Sequence, residues 1–170
     1  MDLALIVLRL VVGLLFVGHG AQKLFGVFGG GGLDGTTQMF DKIGLRPGWL
    51  HARASGTAEF AGGALLALGL FTPFAAAALI AVMTAAVLTV HARNGIWNTN
   101  RGYEFNLVMV AAAFALAGIG AGSWSLDSAF GFDLSGTAWA IGALVVGVIA
   151  GIGAILSGRT AGSRTPHPAS

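Results

Sequence analysis

At 170 residues, the chain has room for one compact helical bundle and none for a separate catalytic domain. Hydrophobic residues make up 55% of the chain and charged residues only 9%, against roughly 25% charged residues in an ordinary globular domain, so the composition excludes a soluble fold. The net charge of +2 comes from basic residues that flank apolar segments, which argues against nucleic acid, and the lack of cysteines excludes disulfides, thiolate metal sites and a dithiol relay within this chain.

Five apolar segments are each close to the roughly 20 residues that cross a bilayer, and they predict an all-α, polytopic transmembrane helical bundle. The predicted spans are 3–21, 54–71, 73–90, 105–120 and 138–156. If each segment crosses once, eight of the nine Lys and Arg residues fall on one side. The positive-inside rule then places the N-terminus outside and the C-terminus in the cytoplasm of a bacterial plasma membrane. The leader MDLALIVLRL has no basic region, so the first span is expected to be permanent.

A glycine run and an amphipathic stretch separate the first two spans. The run FGGGGLDG at 28–35 formally matches a dinucleotide-binding motif, but it follows a helix instead of a strand, which favours a flexible elbow. Residues 36–45 place Met39, Phe40 and Ile43 on one helix face. This pattern predicts a short helix in the plane of the membrane interface.

Two further patterns in the sequence predict how the helices pack. Only residues 69–73 join the second and third spans, which predicts an antiparallel helical hairpin. In the fifth span, Gly147 and Gly151 have the GxxxG spacing of packed helices, a weak indication of a homo-oligomer.

Arg9 is the one basic residue placed toward the outer side. It lies about a third of the way into the first span, where a charge is costly. The side chain is expected to snorkel toward the outer surface. An internal ion pair with Asp127 of the outer loop is the alternative.

Polar side chains from four predicted spans meet at the cytoplasmic level of the bundle. The candidate site residues are His19, Gln22, Lys23, Glu59, His91, Glu104 and Asn106. Charged groups at membrane depth cost ~3 kcal/mol on insertion scales, so they face the bundle interior and find partners. No neighbour in its own helix neutralises Glu59, so its expected partner is Lys23 or His19 across a close helix contact.

Three interpretations of this constellation stay open. It is a structural charge network, or it is a site where a quinone head group or small polar substrate meets His19 and Glu59, because imidazole can donate to a carbonyl and a buried carboxylate can relay a proton. The third interpretation is a metal site of His19, His91, Glu59 and Glu104, although the Glu-x-x-His spacing of bundle metal sites is missing. Transport is the remaining class, but the spans lack paired broken helices.

The motifs resemble those of the DoxX family of small bacterial membrane proteins. The resemblance rests on LRLVVGLLFVGHGAQKLFG (8–26), GLDGTTQMFDKIGL (32–45), ASGTAEFAGGALLALGLFT (54–72), His91, YEFNL (103–107) and GAGSWSLD (120–127). It implies a helical membrane protein with four spans, so the apolar stretch after Asp127 would be an additional fifth. The expected units are a DoxX-like four-helix membrane domain at 1–128, the end of the outer loop with the fifth helix at 129–157, and a disordered cytoplasmic tail at 158–170.

The resemblance also implies a redox association. A related subunit belongs to thiosulfate:quinone oxidoreductase, and some members associate with oxidative-stress enzymes. We therefore expect a component of a quinone-linked or oxidative-stress membrane complex, with the bilayer and other membrane or cytoplasmic redox proteins as partners. A non-catalytic scaffold for soluble partners on the basic cytoplasmic face is the alternative. Neither interpretation identifies a catalytic residue, and a quinone is the candidate cofactor.

Overall fold

The computed structural model of the protein describes residues 2–163, and this part of the chain is helical without a strand. The helices are α1 Asp2–Phe25, α2 Gly32–Lys42, α3 Gly48–Leu68, α4 Thr72–Ala86, α5 Glu104–Ile119, α6 Leu126–Ala129 and α7 Thr137–Ser163. The predicted all-α fold is confirmed, and each predicted span falls largely within one of the long helices.

Three helical stretches are long and apolar enough to cross a membrane by length and composition. They are Asp2–Phe25, Thr72–Asn94 and Thr137–Ala161, and α5 is a shorter apolar helix. The helix α3 does not meet the same criterion within the described residues, because His51, Arg53 and Glu59 dilute its apolar sequence. It instead packs against α1, α2 and α4. A helical membrane bundle agrees with these properties, and the count of five spans stays a prediction.

The helices α1 and α3 touch through their backbones. A Cβ atom on Gly13 would lie 2.5 Å from the Gly63 carbonyl oxygen, and one on Gly20 would lie 2.5 Å from the Phe60 nitrogen. Only glycine permits this approach, which is how small residues let helices associate in lipid. The contact fixes the height of the C-terminal end of α1 relative to α3.

The helix α7 packs along α4, which also contacts α5. Cβ atoms on Gly147 and Gly151 would lie 2.8 Å from the Ala77 and 2.6 Å from the Ala81 carbonyl oxygens. The GxxxG spacing is therefore used inside the chain. Because this face is already covered by α4, the spacing gives no indication of a homo-oligomer, which stays a prediction.

Asp127 closes the end of the bundle at which α3 turns into α4. Its carboxylate accepts hydrogen bonds from the Phe71 nitrogen at 2.7 Å and from the Thr72 nitrogen and hydroxyl at 3.1 and 2.7 Å. These groups stand at the start of α4, where orphan N–H donors and the helix dipole favour an anion. Only residues 69–71 separate α3 from α4, so the predicted antiparallel hairpin is confirmed and its tip is tied to the outer loop.

Arg9 does not snorkel to the surface. The residue is 2% exposed, and its guanidinium donates to the Ala121 carbonyl at 2.6 Å and the Trp124 carbonyl at 2.7 Å. Within the described residues it forms no ion pair with Asp127. The snorkelling prediction was wrong because backbone carbonyls of the loop after α5, which hydropathy does not reveal, accept from the two terminal nitrogens of the guanidinium inside the protein.

The bounds of two helices differ from the predictions. The elbow is shorter than 28–35, because α2 already begins at Gly32. The helix α7 continues to Ser163, so residues 158–163 are helical where an irregular tail was predicted; residues 164–170 lie outside the described part. After α4, the chain forms a π-helical turn, Val87–His91, and a 3-10 turn, Ala92–Asn94.

Candidate functional site beside a buried ion pair

Lys23 and Glu59 form the centre of the site. The Lys23 Nζ lies 2.5 Å from the Glu59 Oε1 and donates to the Ser55 hydroxyl at 3.1 Å. The Glu59 side chain is 2% exposed and that of Lys23 is 24% exposed. The predicted pairing of Glu59 across the α1–α3 contact is confirmed, with Lys23 as its partner.

One oxygen of this carboxylate is left without a partner. Glu59 Oε2 is buried and makes no hydrogen bond with the described residues. Buried polar atoms are nearly always paired, and an exception calls for an explanation such as a ligand, a water or a catalytic role. Glu59 therefore retains one unused acceptor beside its ion pair.

The other two candidates on α1 serve local packing. The ring of His19 meets the ring of Phe105 edge-on, with centroids 5.7 Å apart. Gln22 donates to the Phe28 carbonyl at 3.0 Å and so holds the elbow between α1 and α2. Both lie near Lys23 in the helix, but neither makes a described hydrogen bond to Glu59.

The candidates beyond α4 hold a loop together. His91 Nδ1 donates to the Arg101 carbonyl at 2.8 Å, and Glu104 accepts from the Asn98 nitrogen at 2.9 Å. Asn106 is buried, with its amide 3.3 Å from the Met83 sulfur. His91 and Glu104 thus stabilise residues 92–103, and Asn106 packs against α4. None of the three reaches the ion pair through a described contact.

The structure does not bring the four residues of the metal interpretation together. No group of three or more His, Asp or Glu side chains in residues 2–163 is close enough to hold a metal ion. The physical reason is that His91 and Glu104 are directed to loop backbone groups, while Glu59 is already neutralised by Lys23.

A partly enclosed apolar cavity of about 260 Å³ lies beside the ion pair. The helices α2, α3, α4 and α7 surround it, and the apolar face predicted for α2, formed by Met39, Phe40 and Ile43, lines one side. The other helices contribute mostly alanine and glycine residues, whose small size leaves the space open. The few polar groups on the wall are Lys23, His51, Ser55 and Thr89.

A pattern in the sequence of α3 also indicates this cavity. It includes His51 and Ser55, which are absent from the predicted site residues. His51, Ser55 and Glu59 follow at i, i+4 and i+8, so they share one face of α3. A helix that places a histidine, a hydroxyl and a carboxylate on one stripe, in an otherwise apolar chain, indicates a polar strip facing the protein interior. His51 also lies against the Phe40 ring, with centroids 6.3 Å apart.

The fold and site together define a polytopic helical membrane protein in which one member of an ion pair, Lys23, lies at the wall of an apolar cavity. The chain belongs to the DoxX family, whose model matches residues 4–92. That range includes Lys23, Glu59 and most of the cavity wall, whereas Glu104 and Asn106 lie beyond it.

Two relatives support the family assignment. The chain is 31% identical over 136 residues to the uncharacterized membrane protein Rv3486 of Mycobacterium tuberculosis, covering 73% of this chain and 79% of the relative. It is 27% identical over 117 residues to the putative oxidoreductase CatD of Bacillus subtilis, covering 69% of this chain and 81% of the relative. No solved structure matches the chain significantly.

Proposed function

We propose that this protein is the quinone-binding membrane component of a redox complex, and that the apolar cavity takes the quinone head group. The observation that carries the proposal is the Lys23–Glu59 pair, which places an ammonium donor on the wall of a cavity that is otherwise apolar. A quinone is a flat apolar ring with two carbonyl acceptors, and such ligands suit apolar pockets with a few directed polar groups. The name of one relative, a putative oxidoreductase, supports the redox class.

The chemistry follows from the groups present. Reduction of a quinone to a quinol consumes two electrons and two protons, and each carbonyl oxygen gains one hydrogen. The electrons come from a redox protein that docks on the complex. Lys23 would donate to a carbonyl oxygen and stabilise the negative charge that develops there. Lys23 would then transfer one proton to that oxygen. A proton from water would reach Lys23 through the unused oxygen of the Glu59 carboxylate, and the second proton of the quinol would also come from water.

The size of the cavity limits which part of the ligand enters. A volume of about 260 Å³ lies just below the range of roughly 300–1,000 Å³ typical of small-molecule pockets. It accommodates a substituted ring, while an isoprenoid tail would leave through the open side into the bilayer. Water-soluble quinones with short side chains are therefore suitable probes.

The first test measures quinone affinity after the cavity is filled. Ala58→Leu places a larger side chain on the wall and is expected to weaken binding of decylubiquinone at least tenfold, measured by equilibrium binding to the purified protein in detergent. Ala61→Leu is the matched control, because Ala61 lies exposed on the same helix outside the cavity. Equal affinity in the two variants would refute the quinone site.

A second variant separates binding from stability. Lys23→Met combined with Glu59→Gln removes both charges together, so no unpaired charge stays buried. The folded double variant is expected to bind the quinone about tenfold or more weakly, the value of one charge-assisted hydrogen bond. If it binds as tightly as the original protein, the pair has only a structural role. If neither the original protein nor any variant binds quinone, but soluble redox partners still bind to the protein, then the protein is a scaffold and the quinone proposal is wrong.

We further propose that the N-terminus lies outside and that the loop after α4 faces the cytoplasm of the plasma membrane, as the distribution of basic residues indicates. The chain has no cysteine, so single cysteines report topology directly. In intact cells, an impermeant maleimide should label Ala129→Cys, which is exposed on the outer side, and should label Thr99→Cys only after permeabilisation. The opposite pattern would reverse the orientation.

A further inference from the structure

An open recess of about 510 Å³ lies where α2, α4 and α7 end. Three cations surround it, and each comes from a different element: Lys42 ends α2, Arg93 follows α4 in the 3-10 turn, and Arg159 lies in α7. No acidic side chain lines the recess. None of the three cations forms an ion pair within residues 2–163.

Other charged groups nearby are already engaged. Asp41 precedes Lys42 in the chain, but its carboxylate accepts from the Gly48 nitrogen at 2.9 Å. The guanidinium of Arg53 lies over the Trp49 ring, 5.3 Å from its centroid, and Lys23 pairs with Glu59. None of these groups lines the recess, so its wall carries three positive charges and no negative one.

We infer that this recess binds the phosphate head group of an anionic phospholipid. The cations supply the charge that a phosphodiester needs, because basic residues at the cytoplasmic surface attract anionic lipids. Apart from the cations and Thr89, the wall is apolar and consists of Ile43, Leu88, Val90 and Ala92. Leu88 is 51% exposed on a helical stretch long enough to span the membrane. A free phosphate would use only the cations, whereas a lipid also covers Leu88 with an acyl chain.

The bound head group would join three helices at the mouth of the cavity. Ile43, Thr89 and Val90 line both the recess and the apolar cavity, and the last two belong to the π-helical turn. Such turns often occur at functional sites. A phosphate held by Lys42, Arg93 and Arg159 would hold α2 against α4 and α7. This lipid site is separate from the proposed quinone function and does not depend on it.

Native mass spectrometry of the full chain tests the inference. The protein is purified in detergent with equal amounts of phosphatidylglycerol and phosphatidylethanolamine, and the retained lipid is counted. We expect phosphatidylglycerol to be retained preferentially. Each of Lys42→Gln, Arg93→Gln and Arg159→Gln should weaken its retention about fivefold, the contribution of one basic residue near an anionic surface. The triple variant should show no preference.

Three comparisons make the result decisive. Arg101→Gln removes an exposed cation of the same side outside the recess and should leave the preference unchanged, and Arg93→Lys with Arg159→Lys should retain it. If inorganic phosphate at millimolar concentration displaces the lipid completely, the recess is a free-phosphate site and the lipid assignment is wrong. A triple Gln variant that still prefers phosphatidylglycerol would also overturn the inference.

Discussion

Lys23→Met is expected to lower the free energy of unfolding by about 3–5 kcal/mol, the cost of leaving a buried charge without its partner. Glu59 is 2% exposed, and Lys23 is its one ion-pair partner among the described residues. Its other oxygen already lacks a hydrogen bond, so no second group is placed to take over. The loss can be measured by denaturant titration of the purified protein in mixed micelles.

The double variant distinguishes a charge effect from a packing effect. Adding Glu59→Gln to Lys23→Met should recover most of the lost stability, because neutral groups replace both charges. Arg101→Met is the control, since Arg101 is exposed, lies outside the recess and forms no described ion pair; its stability should be unchanged. If the single Lys23→Met variant is as stable as the original chain, the short contact between the two side chains does not stabilise the fold.

Gly13→Leu is expected to have the second large effect, a loss of about 3 kcal/mol or more, at the upper end of overpacking costs. The new Cβ would meet the Gly63 carbonyl oxygen at 2.5 Å and the Ala67 nitrogen at 2.8 Å. Both obstacles are backbone atoms of α3, which cannot rotate away, so the helices must separate. Circular dichroism melts in detergent would report the loss.

Gly18→Leu provides a control on the same helix. A Cβ there meets no atom within 4 Å, and replacing glycine with leucine in a helix is favourable by roughly 0.5–1 kcal/mol. This variant should be as stable as the original chain or slightly more stable. A similar loss in both variants would mean that leucine is unfavourable anywhere on α1, and the close α1–α3 contact would not explain it.

The fold was predictable because its main signals are local. Long apolar segments indicate helices in lipid, and the short 69–71 connection leaves the chain only an antiparallel hairpin. The Lys23–Glu59 pair was also predictable, because a carboxylate inside an apolar helix needs a nearby cation, and glycines on both helices indicate close contact. In each case a physical requirement, such as a partner for a buried charge, can be satisfied by few arrangements of the chain.

The other features of the site depend on backbone groups and on helix packing, which no sequence pattern marks. Arg9 is satisfied by the carbonyls of Ala121 and Trp124, and every residue has a carbonyl, so no sequence pattern marks these acceptors. His91 and Glu104 likewise bind backbone groups of their own loop instead of converging on Glu59. The cavity depends on where short side chains of four helices leave space, which follows from their packing and not from any one segment.

The Arg9 contacts have a consequence for how the protein is made. The acceptors at Ala121 and Trp124 are 112 and 115 residues further along the chain. While the ribosome is still synthesising the preceding helices, the first helix carries a charge whose eventual acceptors do not yet exist, and lipid offers no substitute. The final depth of the first helix is therefore set by one of the last loops to emerge, so membrane insertion and tertiary assembly cannot be completed in strict N-to-C order.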